Sequence, residues 1–231
     1  MRRVILNADD FGYEPSVSRG ILEAIRAGVV SSTTMMVNGP WSEAAAAHAN
    51  GLSVGLHLTL TCFSALTTGA PLARNGLRLL TADFVERETE AQLDRLEALI
   101  GRPPSHIDVH HHAHREAPVL EGLIRVAVRR RLPVRSVDAN TRTALRAAGL
   151  HTNDVLVGDA GATPYWTLAE WLRQLDTLPA EGHVELMCHP GYAPTLTKSA
   201  YASQREIELR TFTSSRARAA LAERGVTLTS W

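Results

Sequence analysis

The chain of 231 residues carries 24 basic and 24 acidic side chains, a formal net charge of zero at pH 7. That balance excludes partners held by net charge, nucleic acid and anionic membrane surfaces among them. Hydrophobic residues make up 45% of the chain, an ordinary globular fraction. A chain this long can bury a sizeable core, and we expect a single domain over residues 1–231. Two cysteines, Cys62 and Cys188, give no disulfide framework and fit a reducing cytoplasm. Arg2 and Arg3 precede only a short apolar run, so no signal peptide is expected, and no later stretch is long enough to span a bilayer.

In chain order, residues 4–6 read as a buried strand and residues 7–12 (NADDFG) as a turn. A helix is expected over 16–27, with Val17, Ile21, Leu22 and Ile25 on one face and Gly28 as its stop. Residues 32–37 form a second strand, and Ser42 caps an alanine-rich helix. Residues 54–60 alternate, placing His57, Thr59 and Thr61 on one face and leucines on the other. Residues 62–83 look irregular, 86–100 helical, and 106–109 a strand. Further helices are expected from Pro118 to about 131, over 141–148, from a Thr167/Glu170 capping box through 175, and over 215–224. Strands are expected over 134–137, 154–157, 184–187 and 226–228. Seven or eight alternations of strand and helix imply an α/β fold with a parallel sheet, and the number favours a barrel-like closure.

The chemistry concentrates in HIDVHHHAH at residues 106–114, which holds five of the chain's ten histidines. In parallel α/β folds sites form at the carboxyl ends of strands. Asp9-Asp10, His57, the cluster after Val109, and His189 all fall at such ends. Singly, each has a bland reading as a helix cap, an exposed sheet residue or a turn. Four such accidents at one end of one sheet are much less probable than one site. A carboxylate with two imidazoles suits one catalytic divalent ion, Zn²⁺ or Mg²⁺ foremost, with Mn²⁺, Co²⁺ and Ni²⁺ open. Two adjacent aspartates can divide labour, one binding metal and the other taking a proton from water. Asp108 and His110, two apart, share a side of an extended segment, which favours His110 over His111 if Asp108 orients it. Cys188-His189 is not read as a nucleophile pair, because neighbours on a strand point apart.

NADDFG (7–12), GLHLTLT (55–61), HIDVHHHAH (106–114) and MCHPGY (187–192) resemble, in order, the motifs of the YdjC-like carbohydrate deacetylases, which include the chitooligosaccharide deacetylases. SAYASQREIEL (199–209) is similar to that family's tail. The resemblance implies a distorted (β/α) barrel and metal-dependent removal of acetyl from N-acetylated sugars. It assigns Asp10, His57 and His110 as metal ligands, Asp9 as base and His189 as general acid. His112, His114 and Tyr192 would line the site or orient its ligands. A homodimer follows from the resemblance alone. Residues 61–88 look short against the family and offer only Phe63 and Phe84 as aromatics, so the sugar-binding part transfers least. Trp41, Tyr165, Trp166 and Tyr192 could supply aromatic faces. Two other classes stay open at this level: a metal-dependent hydrolase of another bond, such as a phosphoester, and a non-catalytic sugar- or metal-binding protein.

Overall fold

A computed structural model describes residues 2–231. Seven strands form one parallel sheet: β1 (Arg2–Phe11), β2 (Ser32–Met35), β3 (Val54–Leu58), β4 (Ile107–Val109), β5 (Val155–Val157), β6 (Val184–Cys188) and β7 (Val226–Thr229). The order is β4-β3-β2-β1-β6-β5, and β7 also pairs with β1. β1 is the axis because it can pair on both edges along its length. Its residues 4–8 lie against β6, while β7 takes residues 2–5 and β2 takes Asn7, Ala8 and Phe11. Its buried apolar run is what a strand covered on both faces requires. The sheet curls, and residues 133–135 lie between β4 and the segment leading into β5. Ile107 N donates to Pro133 O (2.9 Å), Arg135 N to Ile107 O (3.0 Å) and Val134 N to His151 O (3.0 Å). The expected barrel-like α/β fold is what forms.

Eight helices surround the sheet: α1 (Pro15–Arg26), α2 (Ser42–Ala46), α3 (Ala82–Ile100), α4 (Ala117–Arg130), α5 (Ala139–Ala147), α6 (Leu168–Thr177), α7 (Ser203–Phe212) and α8 (Ser215–Glu223). α1 starts on Pro15, whose missing N–H costs nothing there, and buries Val17, Ile21, Leu22 and Ala24. Trp166, Trp171 and Phe212 pack with ring centroids 5.4–6.0 Å apart beneath α6 and α7.

Several expectations need correction. The NADDFG turn is instead the second half of β1, which runs through Phe11. Ser42 does not cap α2; Trp41 holds that position and the Ser42 hydroxyl donates to Gly39 O (3.0 Å). The capping box at Thr167 is half formed. Thr167 accepts from Glu170 N, but the Glu170 carboxylate turns to Arg173 and Gln174. α3 begins at Ala82, capped by Thr81, and residues 74–79 form a 3-10 turn inside the stretch read as irregular. Residues 134–137 make a single bridge rather than a strand. α7 was not expected at all.

Candidate metal and catalytic site

β1 presents Asn7 and Asp9 to the barrel interior by ordinary strand alternation, which should turn Asp10 away. It does not, because Asp10 has φ 71° and the β1–β2 register shifts between Ala8 and Phe11. That irregularity re-aims the second aspartate, as bulges beside sites often do. Both carboxylates thereby reach one site.

Asp10 Oδ1 lies 3.1 Å from His57 Nε2 and 3.3 Å from His110 Nδ1, and those two nitrogens are 3.1 Å apart. Yet Asp10 Oδ1 is buried and accepts no aligned hydrogen bond. Three potential ligand atoms thus converge within reach of one ion, the two ring nitrogens in hydrogen-bond contact with each other and Asp10 Oδ1 with no aligned donor. His57 is fixed from behind. β3 and β4 are in register at His57 and Asp108, and Asp108 Oδ1 sits 2.6 Å from His57 Nδ1. A proton on Nδ1 leaves Nε2 as the ligand atom, the usual carboxylate–histidine–metal arrangement. Thr34 donates to Asp108 Oδ2 (2.9 Å) and completes that support. Asp108 therefore orients His57, and not His110 as the spacing suggested. The donor set fits a divalent ion, and so does the charge. Arg135 and Arg205 contact four buried carboxylates (Asp9, Asp10, Asp108 and Glu185), so even with a proton on Glu185 the carboxylates exceed the arginines by one negative charge when the imidazoles are neutral.

Asp9 is held differently. Arg135 grips it with both fork nitrogens (2.6 and 2.8 Å), and Asn7 donates to Oδ1 (2.8 Å). Burial opposes its charge, but Arg135 outweighs burial and keeps Asp9 well below the usual carboxylate range. The same guanidinium contacts Asp108 Oδ2 (2.7 Å) and Glu185 Oε1 (2.6 Å). His189 Nε2 stands 3.9 Å from Asp9 Oδ2, and its backbone N–H donates to Glu208 (2.6 Å). Burial pushes His189 down to about 4, against the pull of Asp10 and Asp9. For His57 burial also pushes down, but Asp108, Asp10 and Asp9 prevail and raise it to about 10.

The structure thus brings together Asp9, Asp10, His57, Asp108, His110 and His189. The strand ends at Val109, and His111 and His112 adopt left-handed backbone (φ 56° and 52°). His111 consequently does not face away; its ring lies 3.9 Å from that of His110 and its Nδ1 2.9 Å from Thr61 Oγ1. His112 is held down to about 3 by burial and Arg135, with Asp9 also near. His114 is buried among Arg135, Asp138 and Arg115, away from the ligand trio. Tyr192 is not in the site. Its hydroxyl donates to Glu23 (2.8 Å) and its ring lies under Arg19 (4.0 Å). Trp166 is core, its indole N–H bonded to Met187 O (2.7 Å). The aromatics near the ligands are Tyr13, its ring tilted against Phe63 (5.9 Å between centroids), and Tyr201, 5.5 Å from His189. Cys188 is buried with its thiol pushed well up, as expected of a packing residue. Sequence reading missed Arg135, Arg205, Glu185, Asn7 and Thr34.

The chain is 39% identical to a carbohydrate deacetylase of Geobacillus stearothermophilus over 250 aligned positions, covering 100% of this chain and 97% of that one. It is 35% identical to a chitooligosaccharide deacetylase of Proteus mirabilis, covering 97% and 96%. A crystal structure from Enterococcus faecalis, named for cellobiose-phosphate cleavage, superposes with TM-score 0.87 at 29% identity, covering 99% and 97%. A family 4 acetyl xylan esterase from Clostridium thermocellum, solved with a cobalt ion, shares the fold at TM-score 0.53 and 13% identity, covering 99% and 88%. The family described as YdjC-like protein matches residues 3–223. With a match over nearly its whole length, and a bulged aspartate pair facing two strand-end histidines, this chain belongs to the YdjC-like family.

Proposed function

We propose that this protein is a metal-dependent N-deacetylase that releases acetate from an amino sugar or a short N-acetylglucosamine oligosaccharide. The observation that carries the reading is the convergence of Asp10 Oδ1, His57 Nε2 and His110 Nδ1 beside the Asp9–His189 pair. The names of the full-length relatives support it. A divalent ion held by those three atoms, Zn²⁺ or Mg²⁺ foremost, would polarise the acetyl carbonyl and lower the pKa of a water towards about 7.

The chain's own residues supply the rest. Arg135 and Asn7 keep Asp9 ionised and aimed, so it is always in its base form and takes the proton of the attacking water. His189 is neutral at pH 7, receives that proton across the 3.9 Å gap and delivers it to the leaving amine as general acid. Asp108 and Thr34 hold His57 in the required tautomer. Tyr13 and Phe63, both partly exposed, offer aromatic faces to a sugar ring. A phosphoester hydrolase with two ions would need a second donor set. The second grouping, Asp9, His57 and Asp108, is filled by the Arg135 guanidinium.

We take residues 1–231 as one domain working in the cytoplasm as a homodimer, which light scattering would test. Among the described residues no helix is long and apolar enough to cross a membrane. The test of function is acetate release from N-acetylglucosamine and its short oligomers by protein stripped of metal and reloaded with one ion at a time. Release that needs the ion supports the reading, and no release with any ion on any of these sugars would reject it.

A further inference from the structure

Arg205 projects from α7 and is 3% exposed. Its Nη2 donates to Asp10 Oδ2 (2.5 Å) and its Nε to Tyr201 O (2.9 Å). Nη1 of the same planar fork is buried and has no acceptor. An unpaired N–H on a buried cation is costly, more so than on a neutral group. The position is nevertheless built with care. The Arg205 carbonyl accepts from Gly191 N (3.2 Å), and a Cβ at Gly191 would come 3.4 Å from Arg205 Cδ. The guanidinium centre lies 5.8 Å from both the Tyr13 and Tyr201 rings. It stands beside His189, which it helps hold neutral. Asp10 thus has its two oxygens divided: Oδ2 to Arg205, Oδ1 to the histidine pair.

From this placement we infer that Arg205 is a catalytic residue whose free Nη1 binds the acyl oxygen of the substrate, and afterwards an oxygen of acetate. The inference rests on the deacetylase reading. The acetyl group must come to the Asp10 side of the site for its carbonyl to be polarised, and Nη1 is an unspent donor of the guanidinium bonded to Asp10. Negative charge grows on that oxygen as water adds, so the charged bond strengthens where the barrier is highest.

The test compares wild type with Arg205→Gln and Arg205→Lys on metal-loaded protein, with metal content measured on each sample. Acetate is titrated calorimetrically, and kcat and KM are measured on N-acetylglucosamine oligomers. The expected result is an acetate Kd raised roughly tenfold to a hundredfold in both variants, and kcat lowered roughly 10²–10³-fold with KM nearly unchanged and one metal retained. Arg205→Lys keeps a cation beside Asp10, so it guards against misfolding of the Gln variant. Unchanged acetate binding would overturn the assignment. So would a loss of activity that tracks lost metal, which would make Arg205 only a support for Asp10. A rise in KM alone would assign Nη1 to a sugar hydroxyl and also overturn it. Should wild type release no acetate but bind it in an Arg205-dependent way, the deacetylase reading fails and the Arg205 contact survives.

Discussion

Asp9 and Asp10 are neighbours in sequence, equally buried, and each faces an arginine, but they are held for opposite ends. Asp9 is clamped on both oxygens by Arg135. Asp10 is held on one oxygen by Arg205, and its other oxygen is left free beside two imidazoles. Asp9 has three donors on its two oxygens and one lone-pair direction left to take a proton, whereas Asp10 Oδ1 accepts no hydrogen bond and is open to an ion. The difference arises from one left-handed residue in β1 and from which arginine each side chain meets. Residue type alone cannot separate the two roles; the partner can.

Breaking the free side should have the largest effect. His57→Ala is expected to abolish metal retention and bring acetate release down to background, since both lost functions share one nitrogen. Next comes the clamped side. Asp9→Asn should cost roughly 10²–10⁴-fold in kcat while the protein still carries its ion, measured by elemental analysis alongside turnover. Equal loss of metal in that variant would erase the distinction between the two aspartates.

Arg135→Met tests the clamp itself. It leaves Asp9, Asp108 and Glu185 buried with no guanidinium among them. Denaturant unfolding should report a loss of about 3–5 kcal/mol, the cost of uncompensated buried charge. A neutral outcome would mean that water reaches these groups and that the clamp matters little for folding.

Glu185 sharpens the comparison through pH. Burial pushes its carboxyl up to about 7 from an ordinary 4.5, even with Arg135 beside it. Between those values the folded protein holds a proton that the unfolded chain has lost, so stability falls as pH rises. The contribution is fully present below about 4.5 and gone above about 7, about 3 kcal/mol in total. The stability difference between wild type and Glu185→Gln, followed by urea unfolding across this window, should shift in that direction, with shared histidine titrations cancelling. A flat difference curve would show that Arg135 keeps Glu185 ionised throughout. The smallest effect belongs to Tyr192→Phe, which touches neither aspartate and should leave turnover within a factor of about two, as for surface changes remote from a site.

Legibility in the sequence follows the same division. The free side was readable because histidines are scarce and the aspartate pair ends an apolar run; Asp10, His57 and His110 fall where parallel strands end. The clamped side was hidden by abundance. Arg135 and Arg205 are two of 23 arginines in a chain with one lysine, and nothing local marks them. Arg135 also follows a single bridge at Val134 in a stretch that reads as a plain strand, and Arg205 lies on a helix whose apolar face is weak. The turn read over residues 7–12 failed because the polar side chains there point into a filled barrel, where hydrogen bonds within the interior replace water. Tyr192 was misplaced because a strand-end position does not fix where a loop side chain goes; Arg19 and Glu23 on α1 claimed it.

The division of the aspartates is tested most directly by titrating Co²⁺ into metal-stripped wild type, His110→Ala and Asp9→Asn, following the visible absorption of the bound ion. One equivalent per chain should saturate wild type and Asp9→Asn alike, while His110→Ala should show no tight binding. Two equivalents in wild type, or tight binding lost in Asp9→Asn and kept in His110→Ala, would contradict a single ion held by Asp10, His57 and His110.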